Sequence, residues 1–168
     1  MPSARQSVVV QASPAALREV ILDFKRYAEF LSSVQEATVL RGSPNQGSEW
    51  TVAFRVGVIR ELTYTLRLWE EEPAHSPLVA RPSPARGGAT VIQWSLIEGR
   101  LFKAIEGSWC LKPLIGPSGE VWTTATYQIQ VDLEVFLPGP LLSLLTDSSL
   151  PQTLAAFKLR AERPISNA

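Results

Sequence analysis

The segment Val121–Leu159 constrains the fold of this chain more than any other, because a long alternating strand is followed there by a helix. Odd-numbered residues from Val121 to Val135 are mainly apolar, and even-numbered residues from Trp122 to Phe136 are mainly polar. Successive side chains of a strand point to opposite faces, so the pattern predicts a sheet with one buried and one solvated face. Apolar residues then recur at helical spacing, namely Leu150, Leu154, Phe157 and Ala161. We therefore predict a C-terminal helix that covers the apolar face of the sheet.

The residues before this segment predict a first strand, two short helices and a series of antiparallel strands. The first strand is expected at Ser7–Gln11. Ser13 and Pro14 are typical of a helix N-cap and a first helical position, and a second helix is expected around Arg26–Leu31. Strands follow at Val34–Arg41 and in four alternating apolar sets, which are Trp50, Val52, Phe54 and Val56; Leu62, Tyr64, Leu66 and Leu68; Thr90, Ile92, Trp94 and Leu96; and Ile105, Gly107, Trp109 and Leu111.

Prolines and glycines predict the longer connections. Four prolines between Pro73 and Pro84 exclude a central strand, although an edge strand through Leu78–Ala80 is compatible with them. Pro113–Gly119 is predicted to be a loop, and Glu98–Arg100 a turn. The fold class is therefore α+β: one domain over residues 1–168, with a curved antiparallel sheet of about seven strands wrapped around a long C-terminal helix.

Composition narrows the classes of partner. The chain has 168 residues, of which 16 are Lys or Arg and 16 are Asp or Glu, so its formal net charge is zero and we expect no nucleic-acid partner. The single Cys110 cannot form an internal disulfide. No apolar run is long enough to span a membrane, and the N-terminal residues lack the features of a signal peptide. We expect a cytoplasmic protein, with peripheral membrane contact as an alternative.

Residues for covalent or metal-assisted catalysis are scarce. The only histidine is His75, and the sequence contains neither a nucleophile elbow nor a phosphate-binding glycine loop. A metal site built on His or Cys usually needs several such ligands. We therefore predict no catalytic residues, no metal and no cofactor.

The apolar face of the predicted sheet and the stripe of the helix supply candidate ligand-binding residues. They are Trp50, Phe54, Leu62, Tyr64, Trp94, Trp109, Tyr127, Leu154 and Phe157. One interpretation makes them the wall of a pocket for a flat or long apolar ligand, and the other makes them ordinary core. The hydroxyls of Tyr64 and Tyr127 need hydrogen-bond partners in either case, which are a ligand carbonyl, a neighbouring residue or water.

Charged residues of the same strands are predicted to lie outside this pocket. By alternation Arg55, Arg67 and Glu106 point to the opposite, solvated face of the sheet. A carboxylate or arginine inside the pocket would favour an enzyme, whereas a filled core would favour a protein-interaction module.

Three stretches carry a resemblance to a known superfamily. The opening VVVQASPAALREVILDFKRYAEFLSSVQEATVLRG resembles the START-like superfamily, also called helix-grip or SRPBCC. IEGSWCLKP and VDLEVFLPGPLLSLLTDSSLPQTLAAFKLRAER are similar to its polyketide cyclase/dehydrase and coenzyme Q-binding branch, which includes a ribosome-association toxin. The resemblance implies a helix-grip fold and a hydrophobic molecule bound between the sheet and the C-terminal helix.

Three functions follow from the residues and the resemblance together. The leading hypothesis is a non-enzymatic carrier or chaperone for a hydrophobic small molecule such as a lipid, a quinone or a polyketide. The alternatives are a polyketide cyclase or dehydratase that uses general acid–base groups in the same cavity, and an interaction protein of the ribosome-association type.

A proline near the start of the last helix predicts a break. Pro151 lacks an amide hydrogen and clashes with a preceding carbonyl, so we expect a kink or restart between Thr146 and Pro151. The apolar residues before it then form a separate patch, consisting of Phe136, Leu137, Leu141 and Leu145. This patch is expected to meet a membrane, a protein partner, a second subunit of a homodimer, or the first helices of the same chain.

Overall fold

The structure, a computed structural model, describes residues 3–43, 46–57, 61–71, 89–134 and 150–163. Its strands are β1 (Ser3–Val10), β2 (Val34–Ser43), β3 (Gln46–Gly57), β4 (Glu61–Glu71), β5 (Thr90–Gly99), β6 (Phe102–Ile115) and β7 (Val121–Leu133). Its helices are α1 (Pro14–Leu22), α2 (Tyr27–Phe30) and α3 (Leu150–Glu162), with a 3₁₀ helix at Phe24–Arg26 between the first two.

The described strands form one antiparallel sheet in the order β1-β7-β6-β5-β4-β3-β2. The buried face of this sheet carries the alternating sets expected from the sequence, and α3 buries Leu150, Leu154 and Phe157 in the same core. The 5.1 Å between the ring centroids of Trp109 and Phe157 places α3 over β6. The predicted α+β fold, with two short helices after the first strand, is confirmed.

The turn between β1 and α1 is fixed at two points. The Ser13 side chain accepts a hydrogen bond from the Ala16 amide at 3.2 Å and caps α1, which begins at Pro14 as predicted. The buried Thr123 hydroxyl of β7 donates to the carbonyl of Ala12 at 2.7 Å. These bonds hold α1 against the same end of the sheet that α3 reaches.

Two connections differ from the prediction. β6 continues through Pro113 to Ile115, which pairs with Val121. The predicted loop of Pro113–Gly119 is therefore shortened to the hairpin tip between Ile115 and Val121. Pro113 has no amide hydrogen to donate, and it lies beyond Leu111, where the described pairing of β6 with β5 ends. β5 likewise runs to Gly99, and the turn that follows contains Leu101 with φ +76°.

Several predictions fall on residues outside the described ranges. These are His75, the edge strand at Leu78–Ala80, and the apolar patch of Phe136, Leu137, Leu141 and Leu145. In α3, Pro151 lies in the first turn, where its missing N–H removes no intrahelical bond. The kink or restart was predicted between Thr146 and Pro151, and residues 146–149 also lie outside the described ranges. Within the described residues, no helix has both the length and the apolar character to cross a membrane.

Candidate ligand-binding cavity

A cavity of about 470 Å³ lies between the apolar face of the sheet and the helices. Its described wall comes from strands β2 to β7, from α1, α2 and the turn after α2, and from the start and middle of α3. The volume lies within the range of about 300–1,000 Å³ that is typical of small-molecule sites. The core of this fold is therefore not completely filled with side chains.

Most of the predicted site residues line this cavity. They are Phe54, Leu62, Tyr64, Trp94, Trp109, Tyr127 and Phe157. Trp50 and Leu154 do not belong to the described wall. They are 0% and 1% exposed and belong to the packed core, where Trp50 contacts Phe24 of the 3₁₀ helix at 6.5 Å between ring centroids. Alternation assigns a residue to a face of the sheet, but the position of the helices decides which part of that face stays open.

Eight aromatic residues of the wall form a continuous series of ring contacts. In order they are Phe102, Tyr64, Phe54, Tyr27, Phe157, Trp109, Tyr127 and Trp94, with successive centroids 4.9–6.1 Å apart. This aromatic series runs along the sheet to β3, crosses α2 and α3, and returns to the sheet on β6. Edge and stacked contacts of this kind fix each ring against its neighbours. The cavity is consequently bounded by flat and rigid surfaces on both the sheet side and the helix side.

Gly107 determines where Trp94 lies in the wall. The two residues are direct partners between β6 and β5. A Cβ atom at Gly107 would lie 2.4 Å from two atoms of the Trp94 indole and 2.6 Å from the Gln128 carbonyl oxygen. Only glycine therefore allows the indole to cross β6 and reach Tyr127, whose ring centroid is 5.3 Å away.

The three tyrosines of the chain all line the cavity. Burial raises the pKa of Tyr64 to about 12. Burial, and then charge interaction with Tyr64, raises the pKa of Tyr127 above its ordinary value of 10.0. Burial also raises the pKa of Tyr27, helped by the charges of Tyr127, Asp23 and Tyr64. All three phenols are therefore protonated near neutral pH and act as hydrogen-bond donors rather than as bases.

The tyrosines differ in what their hydroxyls bind. Tyr27 donates to the carbonyl oxygen of Ile21. The hydroxyls of Tyr64 and Tyr127 have no hydrogen-bond partner in the described part of the chain. Every fully buried polar side-chain atom in that part does have a partner, so these two hydroxyls must be accessible. Both side chains line the cavity, which provides the accessible space.

The exposed part of the described wall is polar. Among the described wall residues, only Ser32 and Gln152 are exposed, and they are accompanied by Ser33, Gly57 and Thr153. These five residues, which we call the mouth, come from the turn after α2, the end of β3 and the first turn of α3. The wall therefore changes from hydroxyl and amide groups at the mouth to aromatic rings in the interior.

Some wall residues were not predicted as site residues. Phe102 was missed because a register shift lies between Phe102 and Ala104, so that Phe102 and Ile105 share the buried face although simple alternation separates them. Tyr27 lies within the predicted second helix, but no local pattern indicates that its side chain lines a cavity. The polar mouth carries no periodic signal at all.

The opposite face of the sheet is charged, as alternation predicts. Arg55 pairs with Glu36 at 3.0 Å, Arg67 pairs with Glu49 at 2.5 Å, and Glu106 is exposed. A wider depression of about 700 Å³ is lined by charged and hydroxyl side chains such as Arg55, Arg100 and Thr63, and Phe54 and Tyr64 of the cavity wall also border it.

The described wall of the cavity contains no charged residue. Its polar groups are the hydroxyls of Tyr, Ser and Thr, the indole N–H groups of Trp94 and Trp109, and the amide of Gln152. Across the described residues there is also no group of three or more His, Cys, Asp or Glu side chains that could hold a metal ion. The side chains present can bury apolar surface and donate or accept neutral hydrogen bonds.

Comparison with known proteins agrees with this architecture. The sequence model of the family "Polyketide cyclase / dehydrase and lipid transport" matches residues 10–158. No curated protein matches the sequence of the chain.

Solved structures share the fold at low sequence identity. A START superfamily protein from Mycobacterium smegmatis is 20% identical with a TM-score of 0.69, covering 95% of this chain and 97% of that one. The Zhui aromatase/cyclase from Streptomyces sp. R1128 is 18% identical with a TM-score of 0.68, covering 96% and 94%. A STAR-related lipid transfer protein from Xanthomonas axonopodis is 15% identical with a TM-score of 0.69, covering 95% and 85%.

Proposed function

Because the chain belongs to the polyketide cyclase / dehydrase and lipid transport family, we propose that it binds a hydrophobic small molecule in the cavity and carries or shields it without chemical change. The observation that carries this proposal is the cavity of about 470 Å³ with its aromatic, uncharged wall. An apolar ligand that enters it gains about 25 cal/mol for each Å² of apolar surface removed from water.

The names of the structural relatives fit two activities, lipid transfer and aromatase/cyclase chemistry. General acid–base catalysis needs a group whose pKa lies near the working pH. The described wall offers only phenols with raised pKa values, together with aliphatic hydroxyls, indole N–H groups and one amide. These groups support binding better than proton transfer, so the cyclase or dehydratase remains the second candidate.

The third candidate, an interaction protein of the ribosome-association type, does not require a cavity. A wall of eight rings around open space is costly unless something occupies it, because atoms that face a void lose dispersion contacts. The cavity therefore supports a ligand-binding protein. A lipid, a quinone and a polyketide all remain candidate ligands, and transfer of the ligand through the patch of Phe136, Leu137, Leu141 and Leu145 remains a prediction.

Native mass spectrometry with lipid extraction tests the proposal on protein purified from its own host. We expect a small molecule of constant mass to copurify, and an apolar fluorescent probe to compete with it. Ile129 lines the cavity on β7, whereas the adjacent Gln128 is exposed on the opposite face. Ile129→Trp should fill the cavity and reduce probe affinity at least tenfold, at a cost of about 1–3 kcal/mol in stability.

Gln128→Trp is the matched control, since it adds the same indole to the outer face. It should bind the probe as the unchanged protein does, with both variants shown to be folded by circular dichroism. If no small molecule copurifies and the probe does not bind, or if both variants bind it equally well, the cavity does not have the proposed function.

A further inference from the structure

We propose that Tyr64 and Tyr127 determine the specificity of the cavity, by donating hydrogen bonds to acceptor oxygens of a neutral, planar ring compound. This inference rests on the proposed function and specifies the chemistry of the ligand. Three observations support it: two free hydroxyls, an uncharged wall, and an aromatic series on both sides of the open space.

The two hydroxyls define the polar part of the ligand. Neither has a hydrogen-bond partner within the described residues, and Tyr64 lies on β4 while Tyr127 lies on β7. Both side chains line the same cavity, so one ligand can contact both of them. An apolar ligand that seals the cavity would leave both donors unpaired, which is unfavourable. A ligand whose carbonyl or ether oxygens reach these hydroxyls removes this loss.

The uncharged wall excludes an ionised ligand from the interior. A carboxylate or an ammonium group loses its hydration there and meets no opposite charge among the described wall residues. Phenols with pKa values near 12 and above stay neutral and give no counter-charge. A charged headgroup would have to remain at the mouth, beside Ser32 and Gln152.

The aromatic series favours a flat ligand over a flexible chain. On the sheet side Phe54 and Tyr64 are stacked with their centroids 5.5 Å apart and an interplanar angle of 28°, so each ring restricts the motion of the other. On the helix side Phe157 is held edge-on by Tyr27, Phe30 and Trp109. Rigid rings on opposite sides of a cavity match the faces and edges of a planar molecule, whereas an alkyl chain must lose rotational freedom to fit between them.

The test uses three uncharged probes with the full chain. Anthraquinone is planar and carries two carbonyl oxygens, anthracene has the same three rings without oxygen, and hexadecanol is a flexible chain with a hydroxyl. Titration followed by tryptophan fluorescence and calorimetry should rank anthraquinone first. The Tyr64→Phe and Tyr127→Phe variants remove one hydroxyl each and should weaken anthraquinone roughly threefold to tenfold per hydroxyl, with anthracene unchanged.

Thr126→Val is the control, because it removes a hydroxyl that bonds Ser7 at 2.8 Å on the solvated face, one residue before Tyr127. It should leave the ratio of the anthraquinone and anthracene affinities as it is. Equal affinities for these two compounds, or an unchanged ratio in the Tyr64→Phe/Tyr127→Phe double variant, would overturn the inference while the proposed function stands. Tighter binding of hexadecanol than of both ring compounds would also overturn it. If none of the three binds, the inference is wrong, and the copurification experiment decides separately whether the proposed function holds.

Discussion

Trp109 and Trp50 show how two similar residues acquire different roles. Both indoles belong to the buried face of one sheet, and they are 3% and 0% exposed. Trp109 lines the cavity and contacts Tyr127 and Phe157, whereas Trp50 lies in the closed core near Phe24. Burial alone therefore does not identify a site residue.

The matched variants Trp109→Phe and Trp50→Phe separate the two roles. Truncation of a buried Trp to Ala lowers the free energy of unfolding by about 3–5 kcal/mol. Both Phe variants should lower it by less, because Phe leaves a smaller void than Ala. Only Trp109→Phe should change the affinity of an apolar probe, since only that void joins the cavity. Urea unfolding and probe titration measure the two effects, and unchanged affinity in Trp109→Phe would remove Trp109 from the site.

At the level of elements, α3 is fastened at its C-terminal end to the end of β1. The Glu162 carboxylate accepts a hydrogen bond from the Gln11 amide at 2.7 Å and another from Lys158 one turn earlier. Burial tends to raise the pKa of Glu162, but the hydrogen bonds from Lys158 and Gln11 and the charge of Lys158 outweigh it, so the pKa lies below the ordinary 4.5. The ionised Glu162 carboxylate therefore stabilises the contact between α3 and the end of β1.

This contact predicts a pH dependence. Since the folded pKa is lower than the unfolded one, the stabilisation is present above about pH 4.5 and is lost as the pH falls through the folded value. Glu162→Gln should lower the thermal midpoint at pH 7, and its difference from the unchanged protein should become smaller at a pH well below 4.5. Glu19→Gln, which removes an exposed carboxylate from α1, is the control. A difference for Glu162→Gln that is constant between the two pH values would contradict the assignment.

At the level of the whole molecule, we expect a ligand to enter the cavity at the mouth, where separate elements meet. The mouth brings together the turn after α2, the end of β3 and the first turn of α3. Within the described residues, a backbone hydrogen bond from the Gly57 amide to the Ser33 carbonyl at 2.8 Å joins two of these parts. Regions with few buried contacts open at lower free energy than a central sheet.

Hydrogen exchange tests this view of access. Amides of Ser32–Val34 and of Gln152–Thr153 should exchange faster than those of β6 and β7 in the free protein, and a bound probe should slow them. The amides of β1, which lies at the opposite edge of the sheet from β2 and β3 and supplies no described wall residue, serve as the internal reference. Equal protection of mouth and sheet, with no change on binding, would show that the ligand enters elsewhere.

Periodicity in the sequence determined most of the fold. Alternation on β3 to β7, the Ser13–Pro14 start of α1 and the stripe of α3 are local patterns, and each reflects the geometry of a single element. The structure bears out the alternating buried face and the charged outer face. The same patterns could not separate Trp50 and Leu154 from the residues that line the cavity.

Only the tertiary structure decided the site. The register shift after Phe102 turns its ring inward, Gly107 makes room for the Trp94 indole, and three separate elements meet at the mouth. Each of these depends on contacts between residues far apart in the chain, and no local period encodes them. The sequence by itself determines which side chains face the core, because that follows from the repeat of a strand or a helix. Which part of the core stays open depends on how the helices pack on the curved sheet, and that is a property of the assembled fold.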